Sequence, residues 1–144
     1  GKAMAVPPNL TRNQRLVLAR LATGGRALTA YDILDAVRAE GLRAPVQVYR
    51  ALEKLRGEGL VHRIESLNAF VACAHFHPRH EDSVAFAICE RCGTVSEFPV
   101  LAAARALRTW TKRSGFVTER TTVELHGRCA ACAACAGDGR ETGA

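Results

Sequence analysis

The chain has 144 residues, a formal net charge of +6 and a hydrophobic content of 48%. That length and apolar content are sufficient for one ordinary domain or two small ones with a buried core, which argues against a disordered chain. No apolar run approaches the ~20 residues of a membrane-spanning helix, and the start GKAMAVPPNL lacks the hydrophobic centre of a secretory signal. We therefore expect a cytoplasmic protein with no membrane partner.

The positive charge is concentrated in the first part of the chain. Residues 1–66 carry 11 Lys and Arg against 6 Asp and Glu, whereas residues 67–144 carry 9 against 8. An excess of this size favours a polyanionic partner for residues 1–66, although it also occurs on surfaces that bind no nucleic acid.

Three helical patterns and a hairpin follow one another in this basic region. Asn9 or Thr11 is predicted to cap the first helix and Thr29 the second, and Pro45 is favoured at the first position of the third. After the third helix, alternating apolar and polar residues indicate two short strands joined by a turn at 66–69. This order is typical of a winged helix-turn-helix.

The third helix has two different faces. Val48, Leu52 and Leu55 have the spacing of a buried stripe, whereas the opposite face is polar and basic. Arg50 is the predicted base reader, because a guanidinium pairs with guanine in the major groove. We take residues 1–72 as a DNA-binding domain, although winged helices also occur as protein-interaction modules. The residues expected to contact DNA are Tyr31, Gln47, Tyr49, Arg50 and Lys54.

Two CxxC pairs indicate a metal site. Cys89 and Cys92 form the first pair, and Cys129 and Cys132 form the second. In a chain without an export signal, such pairs favour metal binding over disulfides, and four thiolates make a closed, structural zinc site. Two redox CxxC motifs are the alternative, but neither lies in the strand-to-helix setting of such motifs. Cys135 is either a substitute ligand or a spare thiol.

The region around the CxxC pairs is predicted to be a small α/β dimerisation and metal-binding domain, residues 84–144. A hairpin through the first pair, a helix beginning at Pro99 and a strand before the second pair give the whole chain an α+β class. In that last strand we expect Leu125 on the buried face and Glu124 on the wet face. Open sheet edges and an apolar helix face predict that two copies join here as a homodimer.

A second set of metal-capable side chains surrounds the predicted hinge, residues 73–83. His62 lies on the first wing strand, Cys73 ends the second, and Glu97 follows the first CxxC pair. A metal held by groups from both domains would fix the angle between them, as in a sensor, and a mixed set with a thiolate favours zinc. The fourth ligand is one of four residues, among which the sequence alone does not choose: His80, Asp82, His77 and His75.

The order of these motifs resembles the ferric uptake regulator family, and most closely its zinc uptake regulator branch. The resemblance is carried by AYDILDAVR, VYRALEKLRGEGLVHRIES, FVAC, ICERCGTVSEF and HGRCAAC, from about Leu10 to Cys132. It implies a homodimeric transcriptional repressor that binds an AT-rich inverted-repeat operator when loaded with zinc and controls zinc uptake genes. It also implies two zinc ions per protomer and no small-molecule substrate.

The resemblance assigns roles to individual residues. It implies that Tyr31 and Arg50 contact DNA. The regulatory histidine of the zinc branch usually stands seven residues before the first CxxC cysteine, and that position is Asp82 here. Either Asp82 is the ligand or His80, two residues earlier, takes its place, and of the two we favour His80. The matching metal ligands are Cys89, Cys92, Cys129 and Cys132 for the structural zinc, and His62, Cys73 and Glu97 for the regulatory zinc.

Two other functions compete with a zinc-dependent repressor. An iron or peroxide sensor on the same scaffold is disfavoured by Cys73, since a thiolate suits zinc, and by Ala104, which stands where iron-type members often carry an acidic ligand. A zinc hydrolase or deaminase is disfavoured because deaminases pair H-x-E with P-C-x-x-C, whereas Ile88 precedes Cys89. We therefore expect no enzyme.

Overall fold

The computed structural model describes residues 9–73, the N-terminal half, and residues 84–135, the C-terminal half. Among these residues no helix is both long and apolar enough to cross a membrane. The N-terminal half contains three α-helices, a single 3-10 turn (Arg38–Glu40) and a two-stranded hairpin, and the C-terminal half contains a three-stranded sheet with two helices, which confirms the α+β class. The elements are α1 (Arg12–Ala22), α2 (Ala30–Val37), α3 (Pro45–Gly57), β1 (Val61–Ile64), β2 (Ala69–Ala72), β3 (Val84–Cys89), β4 (Val95–Pro99), α4 (Leu101–Ser114), β5 (Glu124–Gly127) and α5 (Ala130–Cys135).

Threonine side chains begin the first two helices. Thr11 Oγ1 accepts a hydrogen bond from the Gln14 amide, and Gln14 Oε1 accepts one from the Thr11 amide. Thr29 and Asp32 make the same reciprocal pair at 3.1 and 3.0 Å. Both helices therefore start with a complete capping box, and Thr11 rather than Asn9 caps α1.

Replacing Thr29 with Ala is expected to lower the free energy of unfolding by about 1 kcal/mol, because the first turn of α2 loses its side-chain acceptor. Urea denaturation of the zinc-loaded protein measures the change. Thr109 is the matched control, since its hydroxyl donates to Arg105 O within the exposed face of α4. An equal loss in Thr109→Ala would contradict the capping argument.

The N-terminal half packs around the inward face of α3. Val48, Leu52 and Leu55 are fully buried there, among side chains of α1 and α2. The β1–β2 hairpin, which we call the wing, is antiparallel and pairs Val61 with Ala72 and Ile64 with Ala69. The polar face of α3 is consequently left at the surface.

The C-terminal sheet has the order β4–β3–β5. β3 and β4 are antiparallel and are joined by the turn that carries the first CxxC pair, where Gly93 has a φ of +83°. β5 lies parallel to β3 on its other side, after the crossover through α4. This crossover brings the second CxxC pair beside the first. The second pair follows β5 and spans the start of α5, so the expectation that neither pair has a strand-to-helix setting is wrong for this pair.

The predicted faces of β5 are wrong. The Glu124 side chain is 8% exposed, whereas Leu125 is 54% exposed. Glu124 is covered because β5 is an edge strand next to the wing turn, where Glu124 Oε2 accepts a 3.4 Å hydrogen bond from the Ser66 amide. Leu125 lies on the other face of the strand, which is open in a single chain.

The two halves share a hydrophobic cluster, separate from the core around α3. Its buried members come from the wing and from β3, and partly buried residues from the α1–α2 connection and from β4 pack against them. Apolar burial therefore helps to hold the wing against the C-terminal sheet. The members are Ile64, Val71, Val84, Phe86, Ile88, Ala27 and Val95.

Candidate metal centres and nucleic-acid interface

The structure brings the two CxxC pairs together. The Sγ atoms of Cys89, Cys92, Cys129 and Cys132 all lie within 4.8 Å of one another, and the cysteines are free thiols. The Cys92 and Cys129 sulfurs are 3.8 Å apart. A tetrahedral zinc ion with Zn–S bonds of about 2.3 Å separates its sulfurs by about 3.8 Å. Spacing and chemistry of the four thiols therefore fit one zinc ion.

Local hydrogen bonds and neighbouring sulfurs shift the pKa values of the cysteine thiols in this cluster. The backbone amide of Cys92, followed by that of Cys129, lowers the pKa of the Cys89 thiol to about 5, so Cys89 is a thiolate at neutral pH. The Thr94 hydroxyl lowers the pKa of Cys92. In contrast, the sulfurs of Cys129 and Cys89 raise the pKa of Cys132 to about 12. Metal binding must therefore displace protons from the cluster.

A second cluster joins the two halves. One ligand atom from each of His62, Cys73 and Glu97 lies within 4.8 Å of the others. His62 Nε2 is 3.8 Å from Glu97 Oε1, and Cys73 Sγ is 3.8 Å from Glu97 Oε2. Tetrahedral zinc with nitrogen, sulfur and oxygen ligands needs separations of about 3.4–3.6 Å, so a contraction of a few tenths of an ångström would accommodate the ion.

Neighbouring elements fix each of these three side chains. His62 comes from β1, and its ring packs on Phe86 of β3 at 5.1 Å between centroids. Glu97 lies opposite Phe86 in the β3–β4 register. Cys73 follows β2 and donates its backbone amide to Leu60 O at 2.8 Å. The Cys73 side chain is 2% exposed, and those of His62 and Glu97 are 10% and 5% exposed. The cluster is thus shielded from water.

The four candidates for a further ligand lie outside the described residues: His75, His77, His80 and Asp82. The described cluster supplies one nitrogen, one sulfur and one carboxylate. A fourth ligand therefore remains a prediction from the sequence.

Three of the residues expected to contact DNA are exposed side chains on α2 and α3. Tyr31 is 61% exposed and Tyr49 is 41% exposed, so neither is a buried core residue. Arg50 is also exposed. These side chains are accessible to a macromolecule that approaches α3.

The other two predicted DNA contacts already have partners within the protein. Gln47 Oε1 accepts hydrogen bonds from the amides of Arg43 (2.9 Å) and Ala44 (3.1 Å), so it caps the start of α3. Lys54 forms a 3.2 Å ion pair with Glu58 one turn later. Gln47 retains its amide NH₂ group for another partner.

A model of the ferric uptake regulator family matches residues 9–126. The chain belongs to the ferric uptake regulator family. The resemblance seen in its sequence is thereby confirmed, and this family member is a regulator rather than an enzyme.

Its relatives include regulators named for zinc. The zinc uptake regulation protein of Escherichia coli (strain K12) is 39% identical over 124 residues, which are 85% of this chain and 72% of the relative. A structure described as a zinc uptake regulator complexed with zinc and DNA is 35% identical, with a TM-score of 0.83 over 90% of this chain and 86% of that one. The crystal structure of holo XcZur is 42% identical, with a TM-score of 0.78 over 87% and 86%.

The sequence did not predict the polar contacts between the wing turn and β5. Ser66 Oγ lies 3.1 Å from His126 Nε2, and His126 also pairs with Glu90 and Glu124 at 3.4 and 3.3 Å. The family member thus uses His126, which precedes the second CxxC pair, as a contact between its halves. Sixty residues separate Ser66 from His126, and no sequence motif links them.

Proposed function

We propose that this family member is a zinc-responsive transcriptional repressor, which binds an AT-rich inverted-repeat operator as a zinc-loaded homodimer and controls zinc uptake genes. The main support for the proposal is the cluster of His62, Cys73 and Glu97. These largely buried residues come from both halves, and their ligand atoms lie within 4.8 Å of one another. The similarity to a zinc uptake regulator in complex with zinc and DNA supports it. We also propose a cytoplasmic location, where such a DNA operator would be accessible to the protein.

The proposed switch is a population shift between orientations of the winged helix, residues 1–72, relative to residues 84–144 about the hinge at 73–83. Zinc is the signal, bound by His62, Cys73 and Glu97 together with a fourth ligand, for which His80 remains our preference. Ligands from both halves have the right positions only when the halves are in one orientation, so ligand binding favours that orientation.

We propose two zinc ions per protomer, one in each cluster. The four-cysteine cluster is a closed set with no position for exchange of a substrate, which is typical of a structural site. The second cluster draws on three different elements and a mixed donor set. Because its ligands come from both halves, zinc binding at this cluster is coupled to their orientation, which suits a site that responds to free zinc.

The exposed apolar face of the C-terminal half supports the homodimer. Apolar side chains of α4 and of the segment after it remain at the surface of the single chain, and β4 and β5 are edge strands. A two-fold dimer would cover this face and would place two α3 helices against the two halves of an inverted repeat. The exposed residues are Leu101, Leu107, Trp110, Phe116, Val117 and Leu125.

The test is operator binding by the purified protein while free zinc is raised in a chelator buffer. Zinc per protomer is measured at the lowest and at the highest concentration of free zinc. Affinity should rise steeply as the count goes from about one to about two. Ferrous iron, run in parallel, should have little effect because a buried thiolate suits zinc. The proposal would be rejected if operator affinity did not change when the second zinc binds, or if ferrous iron alone raised that affinity.

Replacing Arg50 with Ala is expected to weaken specific binding by about 1–3 kcal/mol, or about 5- to 150-fold, with unchanged zinc content. Lys54→Ala is the matched comparison on the same helix. Its loss should be similar for all sequences and should reduce the salt slope by about one. Affinities for operator and random DNA at several salt concentrations distinguish the two variants; equal losses on both DNAs for Arg50→Ala would reject its role as base reader.

A further inference from the structure

A short extended segment, residues 25–28, joins the N-terminal half to the turn of the first CxxC pair. The Val95 amide donates a 3.0 Å hydrogen bond to the Gly25 carbonyl. Arg26 forms an antiparallel β-bridge with Thr94. We call residues 25–28 the linking segment, because these backbone contacts cross between the halves.

The other end of the linking segment is attached to the wing. Leu28 and Phe70 exchange two backbone hydrogen bonds, of 2.9 and 2.8 Å. The next residue, Thr29, caps α2, and α2 carries Tyr31 in its first turn. Movement of the linking segment would therefore displace both the wing and the start of α2.

The Arg26 side chain lies against the CxxC turn itself. A Cβ atom built on Gly93 would be 2.8 Å from one terminal nitrogen of the Arg26 guanidinium and 2.9 Å from its Nε. Any side chain at Gly93 would therefore displace the guanidinium. The positive φ of Gly93, +83°, independently favours glycine there.

The four-cysteine cluster sets the shape of this turn. The amides of Gly93 and Cys89 donate to Cys89 O and Thr94 O, both at 2.9 Å. Thr94 Oγ1 lies 3.1 Å from Cys92 Sγ. Thr94 thus contacts a cysteine through its side chain and the linking segment through its backbone, so the surface offered to Arg26 depends on the fold of the turn.

We propose that Arg26 is a positioning residue for DNA binding: its guanidinium, seated on Gly93, holds the linking segment, and with it the winged helix, at a fixed place on the CxxC turn. The CxxC turn thereby stabilises, together with His62, Cys73 and Glu97, the one orientation of the DNA-binding half that the proposed switch favours. The effect on DNA affinity rests on the proposed function, whereas the contact itself does not.

Amide hydrogen exchange in the zinc-loaded dimer tests the contact directly. In Arg26→Ala the Val95 amide, whose acceptor is in the other half, should exchange at least tenfold faster. Two amides bonded within one half, Cys89 to Thr94 O and Leu60 to Leu55 O, should keep their rates, which excludes general unfolding. Unchanged exchange at Val95 would overturn the proposal.

Two further variants distinguish the packing of the Arg26 guanidinium on Gly93 from the effect of its positive charge. Arg20→Ala removes an exposed arginine at the end of α1 and should leave the Val95 exchange rate unchanged. Arg26→Lys keeps the charge but loses the planar group, so it should resemble Arg26→Ala. Wild-type exchange and wild-type affinity in Arg26→Lys would overturn the role of the guanidinium.

Operator binding completes the test. Arg26→Ala should bind at least tenfold more weakly with an unchanged salt slope and unchanged zinc content. A salt slope lowered by about one would mean that Arg26 contacts a phosphate, and this would overturn the positioning role. If the wild-type protein bound no operator, the proposed function would be rejected. The exchange rate of the Val95 amide would still show whether Arg26 holds the linking segment on the CxxC turn.

Discussion

Replacing Cys89 with Ser is expected to abolish zinc retention in the four-cysteine cluster and to unfold the C-terminal half. Cys89 ends the central strand β3 and is buried. Because its pKa is lowered to about 5, it can bind zinc at neutral pH without first losing a proton. Structural zinc sites in small domains contribute about 10–16 kcal/mol of apparent binding free energy, which is coupled to folding. Zinc per protomer, thermal unfolding and the mass of the particle in solution measure the loss.

Cys135→Ser is the control for this result. Cys135 is exposed at the end of α5 and lies outside the cluster of four sulfurs. Its replacement should leave zinc content, melting temperature and mass unchanged. If Cys135→Ser lost zinc as Cys89→Ser does, the four-cysteine assignment would be wrong.

Replacing Cys73 with Ser is expected to impair the zinc response strongly while the fold remains intact. Serine nearly preserves the size of a buried side chain but lacks the soft thiolate that favours zinc. Since loss of a mere supporting contact typically weakens metal binding 10- to 100-fold, loss of a direct ligand should raise the free zinc needed for half-maximal DNA binding at least about 100-fold. The zinc of the four-cysteine cluster should remain.

Glu97→Gln and Glu119→Gln test the same cluster from the C-terminal half. Glu97 contacts both His62 and Cys73, so Glu97→Gln should weaken the zinc response as Cys73→Ser does. Glu119 is exposed, so Glu119→Gln should leave the zinc response unchanged. Metal content and operator affinity are measured over the same range of free zinc. A fully zinc-responsive Cys73→Ser protein would remove Cys73 from the sensor.

Local sequence signals predicted most of the N-terminal half. The capping residue Thr29, Pro45 at the first position of α3 and the stripe Val48, Leu52 and Leu55 each act within one helix, so their effects can be read from spacing. The CxxC pairs were equally clear because the chemistry of zinc limits the possible arrangements. The proximity of His62, Cys73 and Glu97 was expected from the need for a shared ligand set, and the structure brings the three residues together.

The errors and omissions concern contacts between distant segments. The faces of β5 were misassigned because alternation alone does not show which face meets the wing and which is open. Gln47 was interpreted only by its predicted place on the polar face of α3, although its backbone partners Arg43 and Ala44 precede it by a few residues. No signal at Arg26 indicates that Gly93 lies beside it, since only the folded chain brings them together.

The uneven distribution of buried side chains has a consequence for folding. Most buried apolar residues of the described chain belong to the N-terminal half, whereas few lie in the C-terminal half: Val84, Ala85, Phe86, Ile88, Cys89 and Ala104. A half with so small a core depends on bound metal and on its exposed apolar face being covered by another protomer. In the proposed dimer, the melting temperature of this half is therefore expected to rise with protein concentration and with zinc supply, whereas the N-terminal half has a larger apolar core of its own.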